Sequence, residues 1–274
     1  MNRLGIEMLT LLGMPPAEHV ALAADLGCTS ISTGLSRVPL HLLGYPDWNM
    51  FPDWSLENDP ALRRELQAAL RDRGVRIALG EGFGARPGSD VRDRAAALDL
   101  MAELGAERIN AISMEPDMPR GFDQLAILAD MVAERGMGFT LEFAPPNAIG
   151  TLDQALAAIA HADNDKCQLL VDAMHFFRSG GQVADIAALD PGLIGYVQLC
   201  DAPLVPTETS YMQEAMFARM VPGTGELPLT AFIAALPADV AIGLEVPLIA
   251  AVEAEGSPHA HAARTVAAAR ALGA

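Results

Sequence analysis

The sequence predicts a single parallel (β/α)₈ barrel over residues 1–274, and three observations predict it. Short apolar runs alternate with Ala- and Leu-rich amphipathic stretches along the whole chain. There are eight of each, and glycines stand where the stretches end. A chain of 274 residues is a common length for such a barrel built as one domain.

In chain order, strands are expected at 4–8, 29–33, 75–79, 108–112, 138–143, 168–172, 194–199 and 240–246. Helices are expected at 16–26, 60–73, 89–104, 121–135, 151–162, 181–189, 228–236 and 258–272. Gly27, Gly74, Gly105 and Gly136 follow helices just before a strand, as C-terminal glycines do. Ser89 with Asp90, and Thr151 with Asp153, suit helix starts. An open doubly wound sheet is the competing architecture, but no GxGxxG follows the first strand. Two long loops depart from the rhythm, at 34–58 and 201–227. Both follow strand C-termini, the face on which barrels build active sites.

Composition narrows the function. Acidic residues number 35 against 18 basic ones, a formal net charge of −17 that repels nucleic acid and anionic membrane alike. A small-molecule substrate is the expected partner, with homo-oligomerisation left open. Cys28, Cys167 and Cys200 lack CxxC spacing and read as reduced thiols. There is no apolar stretch long enough to span a membrane, so the cytoplasm is the expected compartment.

The chemistry is expected where four consecutive strands end in a polar residue: Glu142, Asp172, Gln198 and Glu245. Strand alternation sets Gly138, Thr140 and Glu142 on one face, and Ala241, Gly243 and Glu245 on one face, with Gln198 opposite Val197 and Leu199. Each polar group shares its face with small or mixed side chains, so it points into the barrel near the mouth. Crowded carboxylates there repel one another or bind protons, and a divalent cation removes the difficulty. Oxygen ligands favour Mg²⁺ or Mn²⁺, with Co²⁺ or Zn²⁺ as alternatives. Glu81, flanked by glycines, reads as either a loop acid or a substrate contact. Glu7 reads as an ordinary loop acid. Trp48, Trp54 and Phe83 read as lid packing or as a wall against a ring. His19, His161, His259 and His261 read as structural, and His41 as a residue of the loop at 34–58.

These strand ends, with Asp172-x-x-His175 and Gln198-x-x-Asp201, resemble the xylose isomerase-like TIM barrels. That group spans sugar and sugar-phosphate isomerases and epimerases, dehydroshikimate dehydratases and endonuclease IV-like proteins. The resemblance implies Glu142, Asp172, Gln198 and Glu245 as ligands of one divalent ion, with Glu142 and Glu245 as the acid/base pair. It also implies His175 and Arg219 as substrate contacts, to which Glu81 and Trp54 are added as candidates. The expected reaction is isomerisation or epimerisation of a sugar or similar polyhydroxylated carbonyl compound through a metal-stabilised enolate. The alternatives are a dehydroshikimate dehydratase-like lyase and a ligand-binding barrel without turnover. The chain departs from the pattern at Gln198, where relatives most often carry His. A neutral amide oxygen shifts the expected ion toward Mg²⁺ or Mn²⁺.

Overall fold

Each apolar run pairs with the next in chain order, and the last pairs with the first. The computed structural model, described for residues 2–40 and 50–274, is a closed barrel of parallel strands in the order β1 to β8. The strands are β1 (Leu4–Ile6), β2 (Ser30–Thr33), β3 (Arg76–Ala85), β4 (Arg108–Ser113), β5 (Gly138–Glu142), β6 (Cys167–Asp172), β7 (Ile194–Leu199) and β8 (Ile242–Leu244). Around them run α1 (Pro16–Asp25), α2 (Pro60–Arg73), α3 (Ala95–Leu104), α4 (Met118–Glu134), α5 (Leu152–Ala162), α6 (Ala173–Arg178), α7 (Val183–Ala188), α8 (Tyr211–Phe217), α9 (Leu229–Ala235), α10 (Ile249–Glu255) and α11 (Pro258–Ala271).

Local chemistry explains the helix ends. Asp59, Asp117, Thr151 and Ser257 accept bonds from first-turn amides of α2, α4, α5 and α11, satisfying donors that have no intrahelical partner. Gly74, at φ +64°, ends α2 in the left-handed conformation. Three helices lie outside the expected set: α6, α8 and α10. Each spans six or seven residues, under two turns, too short for an apolar period to register.

The apolar faces close against each other in one main core. Ile31, Ile77, Ile109, Leu141, Val171, Val197 and Leu244 from the strands pack with Leu66, Leu98, Leu128 and Ile159 from the helices. Burying each such side chain contributes about 2 kcal/mol. A second, smaller cluster of Ala78, Leu79, Leu170 and Tyr196, with Ala241 against it, fills the barrel beneath the mouth. The three cysteines are free and buried, and burial pushes the thiols of Cys167 and Cys200 up to about 12. Among the described residues no helix is long and apolar enough to cross a membrane.

Two strand features shape the mouth. β3 runs to Ala85, well past its expected end, with a register shift against β4 between Gly80 and Phe83. The bulge re-aims the segment that holds Glu81. Gly243 on β8 sits where any Cβ would collide with the carboxylate of Glu7 and the hydroxyl of Tyr196, so its hydrogen leaves the room that Glu7 fills.

Candidate active site

A cavity of about 480 Å³ opens at the C-terminal ends of the strands, where barrels place their sites. Glu81, Asn110, Glu142, His175, Arg219 and Glu245 line its polar side. Met8, Leu35, Phe83, Ile112, Met212 and Met216 line its apolar side.

The acids arrive from separate strands. Glu142 ends β5 and Glu245 follows β8, as strand parity predicts, and both line the cavity. Glu142 is half-buried; its Oε2 accepts from Asn110 Nδ2 at 2.6 Å, and its Oε1 lies 3.4 Å from His175 Nε2. Asn110 Nδ2 also reaches Glu81 Oε2 at 3.2 Å. Glu245 is buried, and its Oε2 lies 3.0 Å from Arg219 Nη1. Despite that ion pair, its pKa stands well above the ordinary carboxylate value. Burial is the main cause, and the charges of Asp172, Glu142 and Glu7 add to it.

Glu7, expected as an ordinary loop acid, is fully buried just after β1. Its Oε1 accepts from the Tyr196 hydroxyl at 2.6 Å. Burial raises its pKa and that of Glu81, and for Glu81 the charges of Glu142 and Glu7 push the same way. Glu7, Glu81 and Glu245 each bring an oxygen within 4.8 Å of the others. Between them stands the amide of Gln198, whose Nε2 reaches Glu245 Oε1 at 3.1 Å, Glu7 Oε2 at 3.3 Å and Glu81 Oε1 at 3.4 Å. An amide has two hydrogens, so three acceptors cannot all be served. Gln198 Oε1 is buried with no hydrogen-bond partner among the described residues, and so is Asn110 Oδ1.

Asp172 lies apart from this triad, buried and outside the cavity lining. Its Oδ1 accepts from the His175 amide at 2.9 Å, so the Asp-x-x-His spacing is the N-cap of α6. Its Oδ2 accepts from Arg219 Nη1. Burial works to raise its pKa, but the Arg219 guanidinium and His175 outweigh burial and hold it below the ordinary value. Arg219 was expected to contact substrate; it lines the cavity but is 2% exposed, with its charge shared between Asp172 and Glu245. Its Nε donates to the Ala215 carbonyl at 2.7 Å. His175 Nδ1 lies 2.6 Å from the hydroxyl of Tyr211, delivered by α8 within the loop after β7. Trp54 does not reach the cavity. Its indole donates to the Gly13 carbonyl at 3.1 Å, which turns the ring into packing for the loop, while Phe83 supplies the aromatic wall. His41 and Trp48 fall at 41–49, outside the described residues.

The donor set fits a hard divalent cation. Carboxylate and amide oxygens dominate it, Gln198 offers an unpartnered buried oxygen, and the Arg219 guanidinium answers only Asp172 and Glu245. Glu245 and Gln198 belong both to the expected quartet and to the group around Glu7 and Glu81. Asp172 joins only if Arg219 yields, because both its oxygens are engaged.

A family model described as "Xylose isomerase-like TIM barrel" matches residues 20–272. A 3-dehydroshikimate dehydratase of Pseudomonas aeruginosa is 28% identical over 200 residues, covering 68% of this chain and 30% of that protein. The chain thus spans under a third of the length of that curated relative. Among solved structures, the IOLI protein with a bound zinc atom superposes with a TM-score of 0.76 at 16% identity, covering 98% of this chain and 96% of that one. The D-psicose 3-epimerase of Clostridium cellulolyticum, solved with D-tagatose, does so with a TM-score of 0.70 at 14% identity, covering 98% and 99%.

Proposed function

The chain belongs to the xylose isomerase-like TIM-barrel family, and from that premise we propose a divalent-metal-dependent isomerase or epimerase acting on a polyhydroxylated carbonyl compound. One observation carries this reading: Glu142 and Glu245, from opposite ends of the β5–β8 run, open on the same cavity. Enolisation needs a base for the α C–H and an acid to return a proton, and two carboxylates in unlike surroundings supply both. Glu142, half-buried and steadied by Asn110 and His175, takes the proton. Glu245, opening on the same cavity from beyond β8, is placed to give one back. Gln198, Glu245 and Glu142, with Glu7 and Glu81 adjoining, would hold the ion, and Asp172 would join them where Arg219 yields; Mg²⁺ or Mn²⁺ suits the oxygen donors best. When bound, such an ion polarises a substrate carbonyl and lowers the pKa of the neighbouring C–H. Arg219 keeps Asp172 and Glu245 apart in charge, and Tyr211 fixes one nitrogen of His175, so that the other faces Glu142.

The second reading is a lyase that forms the same enolate and expels a β-hydroxyl. It is favoured by the similarity to 3-dehydroshikimate dehydratase. One experiment separates the readings. Ketoses and cyclic hydroxy-ketones are incubated in D₂O with Mn²⁺ or with chelator, and deuterium uptake and ultraviolet absorbance are followed together. Uptake without new absorbance is expected, with loss on chelation and rescue by Mn²⁺. A conjugated, absorbing product selects the lyase. Absence of both uptake and new absorbance across the panel leaves a ligand-binding barrel and defeats both enzymatic readings.

A further inference from the structure

Each acid of the triad Glu7, Glu81 and Glu245 has one oxygen held from outside the triad and the other turned to the same point. Glu7 Oε1 accepts from the Tyr196 hydroxyl at 2.6 Å, Glu81 Oε2 accepts from Asn110 Nδ2 at 3.2 Å, and Glu245 Oε2 lies 3.0 Å from Arg219 Nη1. The remaining oxygens, Glu7 Oε2, Glu81 Oε1 and Glu245 Oε1, stand 3.3, 3.4 and 3.1 Å from one nitrogen, Gln198 Nε2. Outer partners of this kind orient metal ligands and decide which oxygen faces the ion. The fold also clears space for the triad, since a Cβ on Gly243 would meet the Glu7 carboxylate.

Converging acids alone would only repel one another. The second observation is Gln198, 1% exposed, whose amide stands at the meeting point while its Oε1 is buried and unpartnered among the described residues. An NH₂ with two hydrogens cannot serve three carboxylates, whereas the same amide turned over brings a fourth oxygen to them. Oxygens on opposite sides of a Mg²⁺ ion lie about 4.2 Å apart, twice a bond of about 2.1 Å. One oxygen from each acid of the triad lies within 4.8 Å of the others. The strand-end quartet shows no such convergence. Asp172 has its oxygens engaged by the His175 amide and by Arg219, and Glu142 Oε2 is spent on Asn110 at 2.6 Å.

We propose that the cation seat of this chain is made by Glu7, Glu81, Glu245 and the Gln198 oxygen, set toward β1 and β3, with Asp172 and Glu142 outside it. The seat takes one hard divalent ion, Mg²⁺ or Mn²⁺, on three carboxylates and a neutral amide oxygen. Glu142, spared as a ligand, stays free as the base on the cavity, and Asp172 keeps Arg219 and the start of α6 in place. The assignment rests on the metal-dependent reading above and narrows its donor set; the seat is defined by binding without turnover, so the two can fail separately.

The test follows Mn²⁺ binding to the full chain by the electron paramagnetic resonance of the free ion, with a melting temperature recorded for every variant. Glu7→Gln and Glu81→Gln should each weaken binding about a hundredfold, because each removes a charged ligand. Tyr196→Phe, which leaves Glu7 present but unsteered, should weaken it about tenfold. Glu142→Gln and Asp172→Asn should stay within about threefold, the effect of a nearby charge that is not a ligand. Should the buried Asp172 prove indispensable to folding, Glu142→Gln decides alone. Parent-like affinity in both Glu7→Gln and Glu81→Gln overturns the seat, and with loss in Glu142→Gln or Asp172→Asn it returns the ion to the strand ends and leaves the metal-dependent reading intact. A hundredfold loss in Glu142→Gln overturns its place outside the seat. A parent that binds no Mn²⁺ at millimolar concentration overturns the seat and that reading together.

Discussion

Two acid sites in this barrel's mouth are treated in opposite ways. Asp201, just after β7, is 1% exposed, and its two oxygens accept from the backbone amides of Ala202, Gly223, Gly225 and Leu227. Four fixed dipoles leave that carboxylate nothing further to bind, and they fold the loop at 202–227 back onto the barrel. Glu7 and Glu245 are buried as well and Glu81 half-buried, yet the three compete for one amide NH₂, and burial, with the charge of neighbouring acids, raises their pKa values. The same functional group serves structure where donors are in excess and chemistry where they are short. Satisfaction, more than burial, separates the two.

The largest effect should come from the unsatisfied side. Glu245→Gln keeps the shape but removes the ionisable group, so deuterium exchange into substrate should fall about a thousandfold, the range for losing a general acid or base. Its stability should hold or rise, because one repelling acid is gone; a variant that exchanges at the parent rate would remove Glu245 from the chemistry. Asp201→Ala strands several buried amides at once, and each unpaired group costs about 1–3 kcal/mol. Urea denaturation should show a loss of about 3 kcal/mol or more, with divalent-ion binding by the folded fraction retained. If Asp201→Ala instead abolished ion binding at unchanged stability, the division drawn between the two acid sites would be reversed.

How much of this was legible in the sequence follows from the range of the forces involved. A period of two residues is local, so strand parity placed Glu142, Gln198 and Glu245 toward the interior from a few neighbours each. An N-cap is local too, and Asp172-x-x-His175 carried it. Glu7 was not legible, because its place depends on Gly243 and Tyr196, both more than 180 residues away and brought beside it only when β8 closes on β1. Asn110 left a readable trace, a lone amide inside the apolar run RINAIS, and it proves to bridge Glu81 and Glu142. Arg219 shows the remaining limit. Its position in the loop after β7 was visible, but a guanidinium will answer any nearby carboxylate, and only the folded loop with α8 decides that Asp172 and Glu245 receive it.

The smallest effect concerns an ionisable group that is satisfied only while neutral. His19 on α1 is 3% exposed, and its Nε2 lies 3.0 Å from the Ile6 carbonyl at the end of β1. Burial lowers its pKa from 6.5 to about 4, against a smaller opposing pull from that carbonyl. Above pH 6.5 the ring is neutral in both folded and unfolded chains and contributes no pH dependence. As pH falls from 6.5 toward 4 the unfolded chain takes up a proton that the folded chain refuses, so stability is lost across that window. Between pH 7 and pH 5 the loss should be about 2 kcal/mol, at roughly 1.4 kcal/mol per pH unit below 6.5. His19→Gln keeps a donor for Ile6 but cannot take the proton, so the difference between parent and variant urea-denaturation curves isolates this slope. Glu7, Glu81 and Glu245 titrate in the opposite sense, their raised pKa values making the folded chain the better proton binder, but they are common to both proteins and cancel. Parallel curves would mean that water reaches the ring, and His19 would then no longer count among the groups that the fold satisfies.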